Sequence, residues 1–304
     1  MSKALLILAF CAALSAASAQ NNAVKQLGYP AGTKLLIIHA DDLAVAHSAD
    51  RASFAALDTG AVSSASIMMP CPWVTEVAAY AKAHPDADLG LHLTLTSEWM
   101  NYRWGPLARG NFPGLTGPDG TLWPDAGPVV QHARPDEVAA EVRAQIERAL
   151  AVGIRPTHLD AHMGTLFAPK FFAEYVKAAR EYGIPFFAPR VPGGMSAALA
   201  TLLKETDIEP EGVIMAVPTV KPENWREFYS NAIRGLKPGL TEMIVHLGHD
   251  DAELQAITEG HPDYGSAWRQ RDFDVVTSAE FRALLRENGV KLVTWREIGK
   301  AERR

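Results

Sequence analysis

The chain is poor in cysteine, in basic runs and in long apolar stretches, and each shortage excludes a class of function. Its 304 residues include 2 cysteines. Cys11 falls in an N-terminal leader, so Cys71 is left without a partner for an internal bridge. A chain of this length buries enough core to stand without disulfides, and Cys71, next to Met69 and Pro70, is expected to be a packed side chain. In the leader, Lys3 precedes an apolar run from Ala4 to Leu14 and then the small residues Ala17, Ser18 and Ala19. That pattern reads as a secretory signal peptide over residues 1–19, cleaved after Ala19, with a periplasmic or extracellular destination. No later run approaches the roughly 20 apolar residues that a membrane helix needs, so stable membrane insertion is not expected. Without Lys3, 28 basic residues face 35 acidic ones, a formal net charge of −7. With no basic run to meet phosphates, nucleic acid and anionic lipid are poor partners.

What the chain does have is alternation. From residue 20 to residue 304, short apolar runs alternate with amphipathic helical patterns, as βαβα units do. The expected strands are Lys34–His39, Val62–Met69, Asp88–Thr96, Thr157–His162, Pro185–Arg190, Gly212–Val217, Glu242–Leu247 and Lys291–Trp295. The clearest helix is Pro135–Val152, where Val138, Val142, Ile146 and Leu150 fall on one face. About eight such units in one chain predict a single α/β domain, a closed or nearly closed parallel (β/α) barrel of the TIM type. A doubly wound sheet is the other arrangement that fits.

In parallel α/β folds the loops that follow the strands share one face, so functional groups collect at strand carboxyl ends. The first strand runs into His39, Ala40, Asp41 and Asp42. Two acids there are costly unless they hold a cation or act on a substrate; to cap a helix starting near Ser48, one would be enough. In LGLHLTLT, His92, Thr94 and Thr96 share a face opposite Leu91, Leu93 and Leu95. In THLDAH, the same period puts His158, Asp160 and His162 on one face.

Imidazole nitrogens and a carboxylate oxygen are the usual donors to zinc and related divalent ions. Asp42, His92 and His162 would form a two-histidine, one-carboxylate site for one divalent ion. Asp160 and His158 would orient the ligands, and spacing alone leaves His158 as an alternative to His162. Side chains adjacent on a strand point apart, so Asp42 would hold the ion while Asp41 reaches the attacking water as general base. His246, ending the strand TEMIVHLG, would protonate a leaving amine.

The connection from 97 to 131 carries Trp99, Tyr102, Trp104, Phe112 and Trp123 among many Gly and Pro residues. Loops this long are usually functional or disordered, and so many aromatics argue against disorder. Trp99, Tyr102 and Trp104 could cover the strand-end pocket as a lid and meet the apolar faces of sugar rings. Alternatively, the loop is a surface plug packed by its own aromatics.

HADD at 39–42, GLHLTLT at 90–96, THLDAH at 157–162 and IVH at 244–246 resemble the motifs of the YdjC-like carbohydrate deacetylases, which include the chito-oligosaccharide deacetylases. The resemblance implies a (β/α) barrel of the glycoside hydrolase and deacetylase type that uses a divalent metal, magnesium or zinc, to remove acetyl groups from N-acetylated amino sugars. It places Asp42, His92 and His162 as ligands, Asp41 as base and His246 as acid, and it matches Arg190 to a site arginine. The chain departs from the family in having His39 where Asn is common and Leu247 where Pro often follows the late histidine. An acetylated sugar is then the expected partner, and a second copy of the chain is left open. A phosphoesterase would want Lys or Arg around the site, and few stand near these strand ends. A non-catalytic glycan-binding module with a structural metal would need no base beside the ion.

Overall fold

The computed structural model of the protein describes residues 23–188 and 197–303. The leader therefore lies outside the described residues, as does Arg190. Among the described residues seven parallel strands form one sheet: β1 (Lys34–Leu43), β2 (Ser64–Ile67), β3 (Leu89–Leu93), β4 (Leu159–Ala161), β5 (Gly212–Ile214), β6 (Gly239–His246) and β7 (Val290–Leu292). The order is β4-β3-β2-β1-β6-β5. Along one edge β1 pairs with β6 from Lys34 to Asp41. It also pairs with β7 over its first residues, Lys34 to Leu36, and with β2 over its last, from His39. Beyond β4, the segment expected as the strand Pro185–Arg190 makes a single parallel bridge, Leu159 to Phe186. Helices follow the strands in the right order for a (β/α) barrel.

The alternation of β1 shows how the sheet is buried on both faces, as parallel sheets are. Leu36, Ile38 and Ala40 belong to the larger core, between sheet and helices. Leu35 and Ile37 belong to a smaller one with Phe187, Leu240, Val293 and Trp295, inside the curl of the sheet. Phe187 and Val213, from opposite ends of the sheet, line one cavity. The sheet is thus a half-barrel around a cleft rather than a flat doubly wound layer.

Five of the strands are shorter than their apolar runs, while β6 starts earlier, at Gly239, and β1 ends later. β1 extends past His39 and carries both acids inside it. The following helix, His47–Asp58, has Ala46 at its N-cap and no side-chain cap, so neither acid is spent on capping. β4 ends at Ala161, and His162 instead opens a 3-10 segment, His162–Phe167, in which Met163 (φ 52°) and Gly164 (φ 64°) turn the chain left-handed. His162 therefore reaches the site from a turn and not from a strand face. Trp295, expected to end the last strand, is the first residue of the helix Trp295–Glu302. In the helix Pro135–Ala151 the buried stripe runs through Val138, Val142, Ile146 and Ala149, while Leu150 stands exposed.

Among the described residues no helix is long and apolar enough to cross a membrane. Cys71 is buried, and burial pushes its thiol well above the ordinary range.

Candidate active site

The backbone of β1 breaks its own alternation at the two acids. Asp42 (φ 68°) and Ala44 (φ 73°) are left-handed, and the pairing with β2 shifts register between Ala40 and Leu43. A non-glycine residue in that region costs about 1–2 kcal/mol, less readily tolerated by Ala than by Asp. The result is that Asp41 and Asp42 both line the same cavity, where adjacent strand residues would otherwise face opposite sides.

Asp42 divides its two oxygens. Oδ2 accepts from Arg269 Nη2 at 2.6 Å. Oδ1 is buried without a hydrogen-bond partner and lies 3.4 Å from His92 Nε2 and 3.3 Å from His162 Nδ1. The far side of each ring is held by a carboxylate: His92 Nδ1 sits 2.7 Å from Asp160 Oδ1, and His162 Nε2 sits 3.0 Å from Glu98 Oε2. A carboxylate behind a histidine fixes the tautomer that leaves the other nitrogen free for a cation. One oxygen and two nitrogens therefore converge from β1, β3 and the turn after β4, within reach of a common ion.

The electrostatics of the cluster favour positive charge. Burial opposes ionisation of Asp42, but the Arg269 guanidinium and the imidazoles around it hold its carboxyl well below the usual range. Burial alone would lower His162; Glu98 and Asp42 outweigh it and raise the imidazole to about 10. His92 is raised likewise, against burial, by Asp41 and Asp160. A divalent ion would replace those protons, because ligating imidazoles must be neutral.

His158 lies beneath this cluster. Its ring stacks on Trp295 at 5.1 Å and meets His39 edge-on at 4.9 Å. Gly90 makes the room, since a Cβ there would come within 2.3 Å of the imidazole. Nε2 of His158 lies 3.7 Å from Asp160 Oδ2, so the residue that meets Asp42 is His162. Asp160 bridges the layers: beyond His92 and His158, its Oδ2 is 3.0 Å from His39 Nε2. Burial resists its ionisation, yet the surrounding imidazoles keep it well below the ordinary carboxylate range.

Asp41 sits between the layers and the mouth. Its Oδ1 is 3.1 Å from His39 Nε2, and its Oδ2 is 3.7 Å from His92 Nε2 and 3.9 Å from His246 Nε2. His246 ends β6 opposite Asp41, its backbone N–H donating to Asp272 Oδ2 at 3.0 Å. Burial lowers its imidazole to about 4, and Nδ1 has no hydrogen-bond partner.

These groups open into a cavity of about 830 Å³. Of the three loop aromatics expected over it, only Trp99 lines it, and that ring is 1% exposed, with the Arg269 guanidinium 5.6 Å from its centre. Tyr102 and Trp104 point elsewhere, their polar atoms donating to Val45 O and Thr96 O. The connection is packed, its polar atoms met by its own groups and by Val45, Thr96, Glu137 and Glu141, and of its residues Glu98, Trp99, Pro124 and Asp125 line the cavity.

Three neighbours escaped the sequence reading. His39 had a signal, lying two residues before Asp41 on the inward period. Glu98 had a weaker one, just past the histidine strand. Arg269 had none, since it reaches Asp42 from the helix Ser266–Val276 across 227 residues of sequence.

The model of the YdjC-like protein family matches residues 35–287. A carbohydrate deacetylase of Thermus thermophilus is 31% identical over 277 residues, covering 89% of this chain and 96% of its own. One from Geobacillus stearothermophilus is 27% identical over 275 residues, covering 87% and 98%. Among solved structures, an Enterococcus faecalis V583 protein named for cellobiose-phosphate cleavage superposes with a TM-score of 0.74 at 22% identity, covering 88% of this chain and 99% of its own, which supports the barrel. The motif strands lie inside the matched span, and the chain belongs to the YdjC-like family.

Proposed function

We propose that the protein is a metal-dependent carbohydrate N-deacetylase, hydrolysing the acetamide of an N-acetylated amino sugar. The observation that carries this is the free Oδ1 of Asp42 facing two imidazole nitrogens whose far sides are held by carboxylates. The donor set, one carboxylate oxygen and two imidazole nitrogens, suits zinc. A divalent ion bound by Asp42, His92 and His162 would supply Lewis acidity at the acetyl carbonyl.

The remaining steps fall to this chain's own groups. Asp41, 7% exposed at the cavity wall, takes a proton from the attacking water. The C–N bond then breaks, acetate leaves with the water oxygen, and the amine nitrogen needs a proton. His246 stands beside Asp41 and, kept neutral by burial, can receive that proton and pass it on. Arg269 keeps Asp42 ionised and oriented. A phosphoesterase finds less support, because Arg269 is the one Lys or Arg among the described cavity-lining residues and it is committed to Asp42.

The test is acetate release from a panel of N-acetylated amino sugars, with and without a chelator. Release that stops with chelation and returns with added zinc or magnesium is the expected result. Release indifferent to chelation would reject the metal, and no release from any sugar would reject the activity.

A further inference from the structure

The cavity is polar around Asp41 and Asp42 and at its rim; in its depth His39 and Glu242 are buried in the wall and the surface left open is apolar. On β6 the inward residues are Glu242, Ile244 and His246, spaced by two. Register places His246 level with Asp41 and Ile244 one layer deeper, level with His39. Val213 of β5 pairs with Glu242, and Met215 lies two residues beyond Val213. With Phe167 and Phe187 these side chains wall the inner part of the cavity. Ile244, Val213, Met215 and Phe167 remain only half-buried there, so apolar surface is open to whatever enters.

The depth is badly suited to a sugar. Among the described residues that line the cavity there is no Ser, Thr, Asn, Gln or Lys. The more exposed polar groups, His261, Asp263 and Tyr264, are near the mouth, where Tyr264 lies against the ring of His246 at 5.0 Å, and Asp125 is taken up by Gly127 N. In the deepest layer the unpartnered Oε2 of the buried Glu242 is shut off from solvent. If His246 serves the leaving amine, the sugar lies toward Tyr264 and the acyl group points inward. An acetyl methyl would fill little of that space.

We propose that the apolar depth is an acyl subsite, and that the enzyme hydrolyses amino sugars with N-acyl chains longer than acetyl in preference to acetyl itself. The proposal rests on the deacetylase reading of the same centre. The bond chemistry is unchanged: water adds to the carbonyl carbon, the C–N bond breaks, and a fatty carboxylate and a protonated amine are released. Burying one methylene contributes about 0.8 kcal/mol, a factor of about four.

The experiment is amine release from N-acetyl-, N-butyryl- and N-hexanoyl-glucosamine by the zinc-loaded protein. The expected result is a kcat/KM that climbs along the series, at least tenfold from acetyl to hexanoyl. Val213→Phe and Met215→Phe, which fill the depth, should each cut the hexanoyl-to-acetyl ratio at least tenfold. Acetyl cleaved with a flat or falling series overturns the acyl subsite and leaves the deacetylase intact. A ratio unchanged in a variant with native metal content overturns it as well. No amine from any of the three substrates overturns the deacetylase reading, and the subsite with it.

Discussion

The acid and histidine cluster of the barrel mouth and the aromatic connection after β3 both stand out in the sequence, and they reach opposite states in the fold. In the connection, polar atoms find protein partners. Trp104 Nε1 bonds Thr96 O, Trp123 Nε1 bonds Gly114 O, and the buried Glu141 accepts from Leu107 N and Ala108 N. In the cluster and the cavity wall beneath it, Asp42 Oδ1, His246 Nδ1 and Glu242 Oε2 are buried without a hydrogen bond, while Asp41 Oδ1 meets His39 Nε2 at 3.1 Å. An unmet buried polar atom costs about 1–3 kcal/mol. A fold keeps several in one place only when something else meets them, whereas a satisfied cluster of aromatics needs nothing further. The contrast separates function from packing better than residue type does.

The largest expected effect that would break this contrast is in the cluster itself. His92→Ala removes one of the three converging donors, and its expected outcome is loss of bound metal together with a fall of turnover to background. Elemental analysis of the purified variant checks it, and full occupancy would remove His92 from the ligand set. Asp41→Asn is the sharper case. It keeps the three donors, so metal content should hold, while kcat drops about 10²–10⁴-fold, the range of a lost general base. Undiminished turnover would end the proposed role.

How much of this was legible follows from where each residue stands in its own strand. His92 and Asp160 could be placed because a period of two is local information. Asp41 and Asp42 were found but misoriented, since the left-handed turn at Asp42 comes from the shift against β2, which no periodicity reports. His162 was found for the wrong reason, as a strand residue instead of a turn. Glu98 and Arg269 complete the site from elements whose positions depend on the whole barrel. The packing of the aromatic connection was not legible because partners distant in sequence hold its backbone, Glu137 accepting from Gly114 N and Glu141 from Leu107 N and Ala108 N, and nothing in the loop sequence marks them. Its proposed use of Tyr102 and Trp104 toward substrate fails with that burial.

A smaller effect tests the carboxylate behind the ring. Glu98→Gln keeps the shape but takes charge from His162, and the expected result is a roughly 10–100-fold weaker metal affinity, read by competition with a chelator. Deeper in the barrel, Glu242, in the inner wall of the cavity, carries the contrast to stability. Burial pushes its carboxyl up to about 8 from an ordinary 4.5, with Trp295 Nε1 donating to Oε1 at 3.1 Å and Oε2 unpartnered. A raised acid favours the fold while protonated, so its contribution is full below about pH 4.5 and is lost as pH rises through about 8. Glu242→Gln should therefore gain on the wild type across that window in urea titrations. A constant difference from pH 5 to 8 would show that Glu242 ionises as freely folded as unfolded.

The smallest expected effect falls on the plug. Tyr102→Phe deletes a hydroxyl that donates to Val45 O at 2.7 Å and changes nothing that lines the cavity. Stability should fall by about 1 kcal/mol, the net value of one hydrogen bond, with KM for the amide substrate held within twofold. Because Val45 follows directly on the strained segment Asp42–Ala44, the two readouts also separate two couplings. A loss of stability alone makes the loop a scaffold clamped to the end of β1. A rise in KM or a loss of metal in the same variant would mean that the clamp sets the turn at Asp42, and the satisfied region would then belong to the unsatisfied one.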